Sequence, residues 1–180
     1  RGWDFVDLEP GADVRPGEDG HLADNDPIDF VGHGTAVAGI VGARTNNVIG
    51  VAGTAWKVRL MPLRIGWASV AHPSGEGDVT FIAQAVRYAT RMGAHIVNLS
   101  FATENQPDLE AAVSEAVRAG VTVVTAAGNF GVSHYLAYRE DVISVGGTDA
   151  EDRVLGYSTS GPQVDIVAPG YRLVTTTMDR

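Results

Sequence analysis

Short runs of β-branched residues alternate with longer stretches of helical periodicity along this chain, and nothing else in the sequence restricts its fold as strongly. Apolar residues at positions 79, 82, 83, 86 and 89 form one face of an amphipathic helix predicted over 79–92 and stopped by Gly93. Residues 33–43 are small or branched, with Val37, Ile40 and Val41 at helical spacing. A third helix is predicted from a cap at Asp108 to Arg118, with Gly120 just past its end. Around these spans, 3–7, 58–65, 95–100, 121–126, 142–145 and 164–167 read as short strands, and 173–177 as the start of a hairpin. Residues 8–29, rich in Gly, Pro and acids, and 66–78, with Pro73, Gly75 and Gly77, read as loops.

Buried-type strands separated by helices imply an α/β fold, with three layers (α/β/α) around a mostly parallel central sheet. No repeat or linker interrupts the pattern, so one domain is expected over residues 1–180. In such sheets ligands bind beyond the carboxyl ends of the strands. The loops after Ser100, Ala126 and Val145 are therefore where chemistry is expected.

Charge and composition exclude several classes of function. A net charge of −9 argues against a nucleic-acid partner, since phosphate binding needs clustered Lys and Arg. The chain has no cysteine, which removes disulfides, zinc-thiolate sites and a cysteine nucleophile. No window reaches the roughly 18 uncharged apolar residues of a membrane span. Glycine is in excess, at 22 residues, as tight turns or close approach of backbone to a ligand would require.

The stretch Gly32-His33-Gly34-Thr35-Ala36-Val37-Ala38-Gly39 places a histidine between two glycines at a helix start, with Asp29 just upstream. The glycines leave the imidazole unshielded and let backbone and substrate come close. A Gly-x-Gly turn at a helix N-terminus could instead cradle phosphate. However, a dinucleotide site follows directly on an apolar strand, whereas an acidic loop with Asp24, Asp26 and Asp29 precedes this one and would repel phosphate. Residues 123–129 form a second motif, an apolar strand ending in Gly128-Asn129. An amide there can donate to an oxyanion; the same dipeptide can also be a simple turn. A third motif is Asn98-Leu99-Ser100-Phe101-Ala102.

In combination these motifs closely resemble the subtilisin-like serine proteases (subtilases, peptidase family S8), over nearly the whole chain. The resemblance implies that His33 is the catalytic histidine and Asn129 the oxyanion-hole residue, with Ala127 and Gly128 among the substrate-binding positions beside it. It makes Ser100, Phe101 and Ala102 one substrate-binding edge and pocket wall, and Gly75 and Gly77 part of the opposite edge. Four positions depart from the family pattern: Ala36 stands where a second histidine is usual, Ala102 where glycine is usual, and Leu136 and Trp56 where proline is frequent.

The segment 45–51 is similar to the family's calcium loop, with Asn47 offering a side-chain oxygen and Ile49 and Val51 carbonyls, so structural calcium is an expected cofactor. The acidic loop 24–29 resembles a weaker calcium loop of thermitase-like relatives, and reads equally well as solvated carboxylates. The family's triad runs Asp, His, Ser along the chain. Asp4 and Asp7 are the strand-borne acids upstream of His33; neither is followed by glycine, and no Gly-Thr-Ser-Met follows Ala168-Pro169-Gly170. The resemblance thus implies an internal piece of a catalytic domain, incomplete at both ends and inactive by itself, whose partners are a polypeptide substrate and the remainder of its own domain. An extracellular location is expected from the family. The alternative is a non-catalytic subtilisin-like domain kept for binding or structure.

Overall fold

The computed structural model describes residues 1–178 and has a mixed α/β architecture with three helices and parallel sheet. The chain divides into two compact units: residues 1–85 together with those from Val174 onward, and Val86–Leu173. Helix α2 straddles the division.

In the first unit, β1 (Trp3–Asp4) pairs in parallel with β2 (Leu63–Arg64), and β3 (Gly66–Trp67) pairs antiparallel with β4 (Glu76–Gly77). The strand expected over 58–65 is thus confined to the two residues that meet β1. The rest of 58–65 packs elsewhere; a Cβ on Gly42 would lie 2.6 Å from Val58 Cγ1. The β3–β4 pair is a correction to the loop expected over 66–78. Two-residue strands containing Gly66 and Gly77 leave no period-two pattern to read. Helix α1 (His33–Gly42) lies where its periodicity placed it.

The second unit is built on a four-stranded parallel sheet in the order β5-β6-β7-β8, comprising Ile96–Leu99, Thr122–Ala126, Ile143–Thr148 and Ile166–Pro169. Helix α2 (Val79–Arg91) connects toward β5, and α3 (Pro107–Arg118) toward β6. Leu109, Ala112, Val113 and Ala116 form the fully buried stripe of α3, the i, i+3, i+4, i+7 face that this amphipathic sequence dictates. Residues Val121 and Val123 of the β6 segment and Leu136 and Val142 complete this core.

The start of α3 and residues 173–177 also differ from expectation. The N-cap of α3 is Gln106, not Asp108, because Pro107 supplies the preset φ of the first helical position. Asp108 instead stands in the first turn, where its carboxylate takes a 2.8 Å hydrogen bond from Arg87 Nη2. Residues 173–177 form no strand; Thr175 and Thr176 instead donate their hydroxyls to the carbonyls of Ala36 and Thr35, at 2.6 and 2.7 Å, along α1.

Candidate active site

His33 is the first residue of α1, and the turn before it has an unusual cap. Gly32 is left-handed at φ 95° and brings no side chain to the helix start. Asp29 supplies the cap from three residues earlier. Its Oδ1 accepts the N–H groups of Val31 and Gly32 at 2.9 and 2.8 Å, and its Oδ2 accepts the N–H and hydroxyl of Thr35 at 2.8 and 2.7 Å. Burial alone would push the Asp29 carboxyl up. The bonds from Gly32, Thr35 and Val31 outweigh that and hold it below its usual range. A carboxylate here also complements the positive end of α1. The imidazole of His33 is left exposed, with no hydrogen-bond partner among the described residues. Behind it, Gly39 allows the Thr175–Thr176 backbone to lie against the helix, since a Cβ there would meet Thr176 Oγ1 at 2.1 Å.

Neither upstream acid offers itself to a histidine. Asp4 is 1% exposed and is bound by Arg64 Nη1 and by the Val6 N–H at 2.8 Å. Asp7 accepts the Leu22 N–H at 3.1 Å. Gly75, on the loop entering β4, approaches the histidine turn: a Cβ on it would lie 2.8 Å from Val31 Cγ1. Gly77 pairs with Gly66 in the β3–β4 ladder.

The loop 44–52 encloses an open concavity of about 190 Å³ lined by its own residues, including Asn47, Ile49 and Val51. Asn46, Val48 and Gly50 are all left-handed, which gives the loop its tight alternating course. Asn47 Oδ1 accepts the Ile49 N–H at 3.2 Å. The donors are neutral oxygens, which suit a hard cation as part of a ligand set. Among the described residues no three His, Cys, Asp or Glu side chains cluster as a metal site.

In the second unit, β5 and β6 run parallel with Leu99 opposite Thr125, and Thr125 Oγ1 donates to the Leu99 carbonyl at 3.2 Å. Residues 100–102 and 127–129 therefore leave the sheet side by side at its carboxyl end. Ser100 Oγ accepts the Asn98 side-chain amide at 2.8 Å and lies in no glycine-flanked elbow, while Phe101 is half-buried and Ala102 exposed. Ala127 is buried and donates to the Val145 carbonyl at 2.9 Å. Gly128 is left-handed at φ 107°, and a Cβ there would meet the Val132 carbonyl oxygen at 2.0 Å. Asn129 follows, exposed, its carboxamide unengaged by any described residue.

A strap holds this turn from outside. Thr159 donates its N–H to the Gly128 carbonyl at 3.0 Å and its hydroxyl to the Val132 carbonyl at 3.2 Å. Tyr157 accepts the Phe130 N–H at 2.6 Å, and Ser158 Oγ accepts the Gly147 N–H at 2.9 Å. Sequence reasoning assigned the 157–162 segment no role at this turn and left Asp29 as an upstream acid. Asp29 had a local signal, an acid three residues before a glycine-preceded helix start. Thr159 had none, because its partners lie about thirty residues away in sequence.

Chemically, the first unit presents an unengaged imidazole on a rigid turn, and the second presents an unengaged amide beside an open strand edge. Each is the kind of group that acyl transfer uses, as proton acceptor and as oxyanion donor. No helix among the described residues is long and apolar enough to cross a membrane.

Comparison with known proteins identifies the family. Residues 5–179 match the Subtilase family, peptidase S8. The chain is 40% identical over 179 residues to the thermophilic serine proteinase of Bacillus sp. (strain AK1), covering 98% of this chain and 40% of that protein. It is 38% identical to thermitase of Thermoactinomyces vulgaris, covering 97% of this chain and 57% of thermitase. The crystal structure of MycP1 with its N-terminal propeptide removed superposes with a TM-score of 0.71 at 28% identity, over 97% of this chain and 59% of that one. The chain thus spans 40% to 59% of the length of these relatives. With a family match that runs from residue 5 to residue 179, this chain belongs to the subtilase family.

Proposed function

We propose that the protein is a serine endopeptidase that cleaves polypeptides through an acyl-enzyme intermediate. In this reading His33 is the general base. It takes the proton of a serine hydroxyl as that oxygen attacks the scissile carbonyl, then returns the proton to the leaving amine. The Asn129 amide stabilises the oxyanion of the tetrahedral intermediate. Extended substrate backbone pairs beside Ser100, Phe101 and Ala102 and beside Gly75 and Gly77, with Ala127 and Gly128 leaving room for its approach. The aspartate and serine of the triad belong to parts of the protein outside these 180 residues, so this polypeptide by itself forms no acyl-enzyme. Asn47, Ile49 and Val51 contribute oxygens to a structural calcium ion, and the protein works outside the cell.

The observation that carries the reading is the presentation of His33, exposed and unengaged on a turn fixed by four bonds to Asp29. The test uses the complete reading frame and a fluorophosphonate probe. The intact protein is expected to label and to hydrolyse casein, His33→Ala to lose labelling, and the 180-residue polypeptide to stay unlabelled. Asn129→Ala is expected to lower kcat by about 10²–10³-fold, the magnitude known for such a donor in subtilisin. Labelling that survives His33→Ala would refute the assignment. For calcium, addition of about 100 times its Kd is expected to stabilise the protein by about 2.7 kcal/mol, an effect that Asn47→Ala weakens; unchanged melting with and without chelator would refute that site.

A further inference from the structure

The β3–β4 hairpin carries a carboxylate that none of the roles above uses. Glu76 is half-buried, yet it makes no hydrogen bond or ion pair with any described residue. The other buried or half-buried acids of this unit are engaged: Asp4 and Glu18 with Arg64, Asp24 with the Asp26 N–H, Asp29 with the turn before α1. Its carboxylate is therefore free to take a cationic partner from outside the chain.

The surroundings of Glu76 specify that ligand. Trp67 is its cross-strand partner, so both side chains stand on one face of the hairpin. Trp67 is half-buried and packs edge-on against Phe81, with ring centroids 6.3 Å apart and planes at 71°. An aromatic shelf beside an unpaired carboxylate suits a long cationic side chain, whose methylene stem lies on the ring while its charge meets the carboxylate. Strand β4 pairs on one side only, with β3, so its other edge is open to an extended chain. Gly75 and Gly77 on either side of Glu76 add no side chain to obstruct that edge. The same strand is anchored beside the histidine turn, where Gly75 abuts Val31. A net charge of −9 further favours a basic segment.

We propose that Glu76 and Trp67 form a subsite for a lysine or arginine side chain of the peptide that binds along β4, which makes basic segments the preferred substrates. The proposal rests on the reading that the protein takes an extended polypeptide at this edge.

The test uses the complete reading frame with Glu76 intact, Glu76→Gln and Glu76→Lys. Internally quenched octapeptides of neutral sequence carry a single lysine or glutamate, stepped through each position. At one position lysine is expected to exceed glutamate by about tenfold in kcat/KM, mostly through KM; Glu76→Gln reduces this to about twofold and Glu76→Lys reverses it. Equal rates for lysine and glutamate at every position, or a preference that Glu76→Gln leaves intact, overturns the proposal. Binding of the same peptides, fluorescein-labelled, is measured by anisotropy in a His33→Ala background. If no peptide is cleaved, the peptidase reading fails and binding alone decides the subsite. A lysine preference removed by Glu76→Gln upholds it; equal binding, or none, overturns it.

Discussion

Asp29 shows how one side chain sets the geometry of a catalytic candidate without touching it. Its two oxygens satisfy three backbone donors and one hydroxyl at the start of α1, where Gly32 has no side chain to offer. Replacing such a cap costs about 0.5–2 kcal/mol, and four bonds place Asp29→Ala at the upper end of that range. The pH dependence has a definite sign. The folded carboxyl lies below its ordinary value of 3.8, so its contribution is fully present above that value and is lost as pH falls through the lowered folded value. Denaturation at pH 7 and at pH 3 is therefore expected to show Asp29→Ala closer to the parent chain in acid than at neutrality. An equal deficit at both values would contradict the ionised cap.

Among elements, the turn after β6 is the most tightly specified. Gly128 requires a left-handed backbone, and the Val132 carbonyl occupies the place of a side chain. Gly120, after α3, is also left-handed at φ 82°, but a Cβ there meets nothing within 4 Å. The two positions separate conformational strain from collision. Gly120→Ala is expected to cost about 1–2 kcal/mol, the left-handed penalty alone. Gly128→Ala adds a steric clash with backbone that Thr159 holds in place, so its loss is expected to exceed that of Gly120→Ala by at least about 1 kcal/mol. Urea midpoints of the two variants check this; equal midpoints would mean the strap yields. Because Asn129 follows Gly128 directly, the same substitution is expected to depress kcat more than it raises KM in the complete protein.

At the scale of the molecule, the acidic balance is managed partly by one buried cation. Arg64 binds Asp4 and, at 2.8 Å, Glu18, whose carboxylate also accepts the Ala68 N–H; the side chains are 6%, 2% and 0% exposed. This cluster ties the acidic 8–29 segment to β1 and β2. Arg64→Met would leave buried Asp4 without a counter-charge and Glu18 with only Arg15, 4.0 Å away, a loss of about 3–5 kcal/mol at pH 7. Such a variant is expected to melt far below the parent chain at neutral pH and to recover part of the difference at pH 4, where protonation relieves the carboxylates. A melting temperature within a few degrees of the parent at pH 7 would show the cluster to be dispensable.

Much of this organisation was legible in local pattern. The helical spans around α1, α2 and α3 follow from helical spacing and the strands β5 to β8 from short apolar, β-branched runs, and His33 and Asn129 stand in short motifs whose chemistry is explicit in the residue types. The β3–β4 pair was not legible because two-residue strands leave no pattern, and the course of residues 173–177 was not because its partners on α1 lie far away in sequence; the Gln106 cap follows from the adjacent Pro107. The alternation of strand and helix by itself pointed to an α/β fold with parallel sheet, and the resemblance of the His33, Asn129 and Ser100 motifs to those of subtilases pointed to the family. Only the tertiary structure decided that Thr159 straps the Asn129 turn and that Glu76 stands unpaired beside Trp67. Hydrogen bonds and charge pairs between distant segments form wherever packing brings the groups together, and local periodicity carries no record of that.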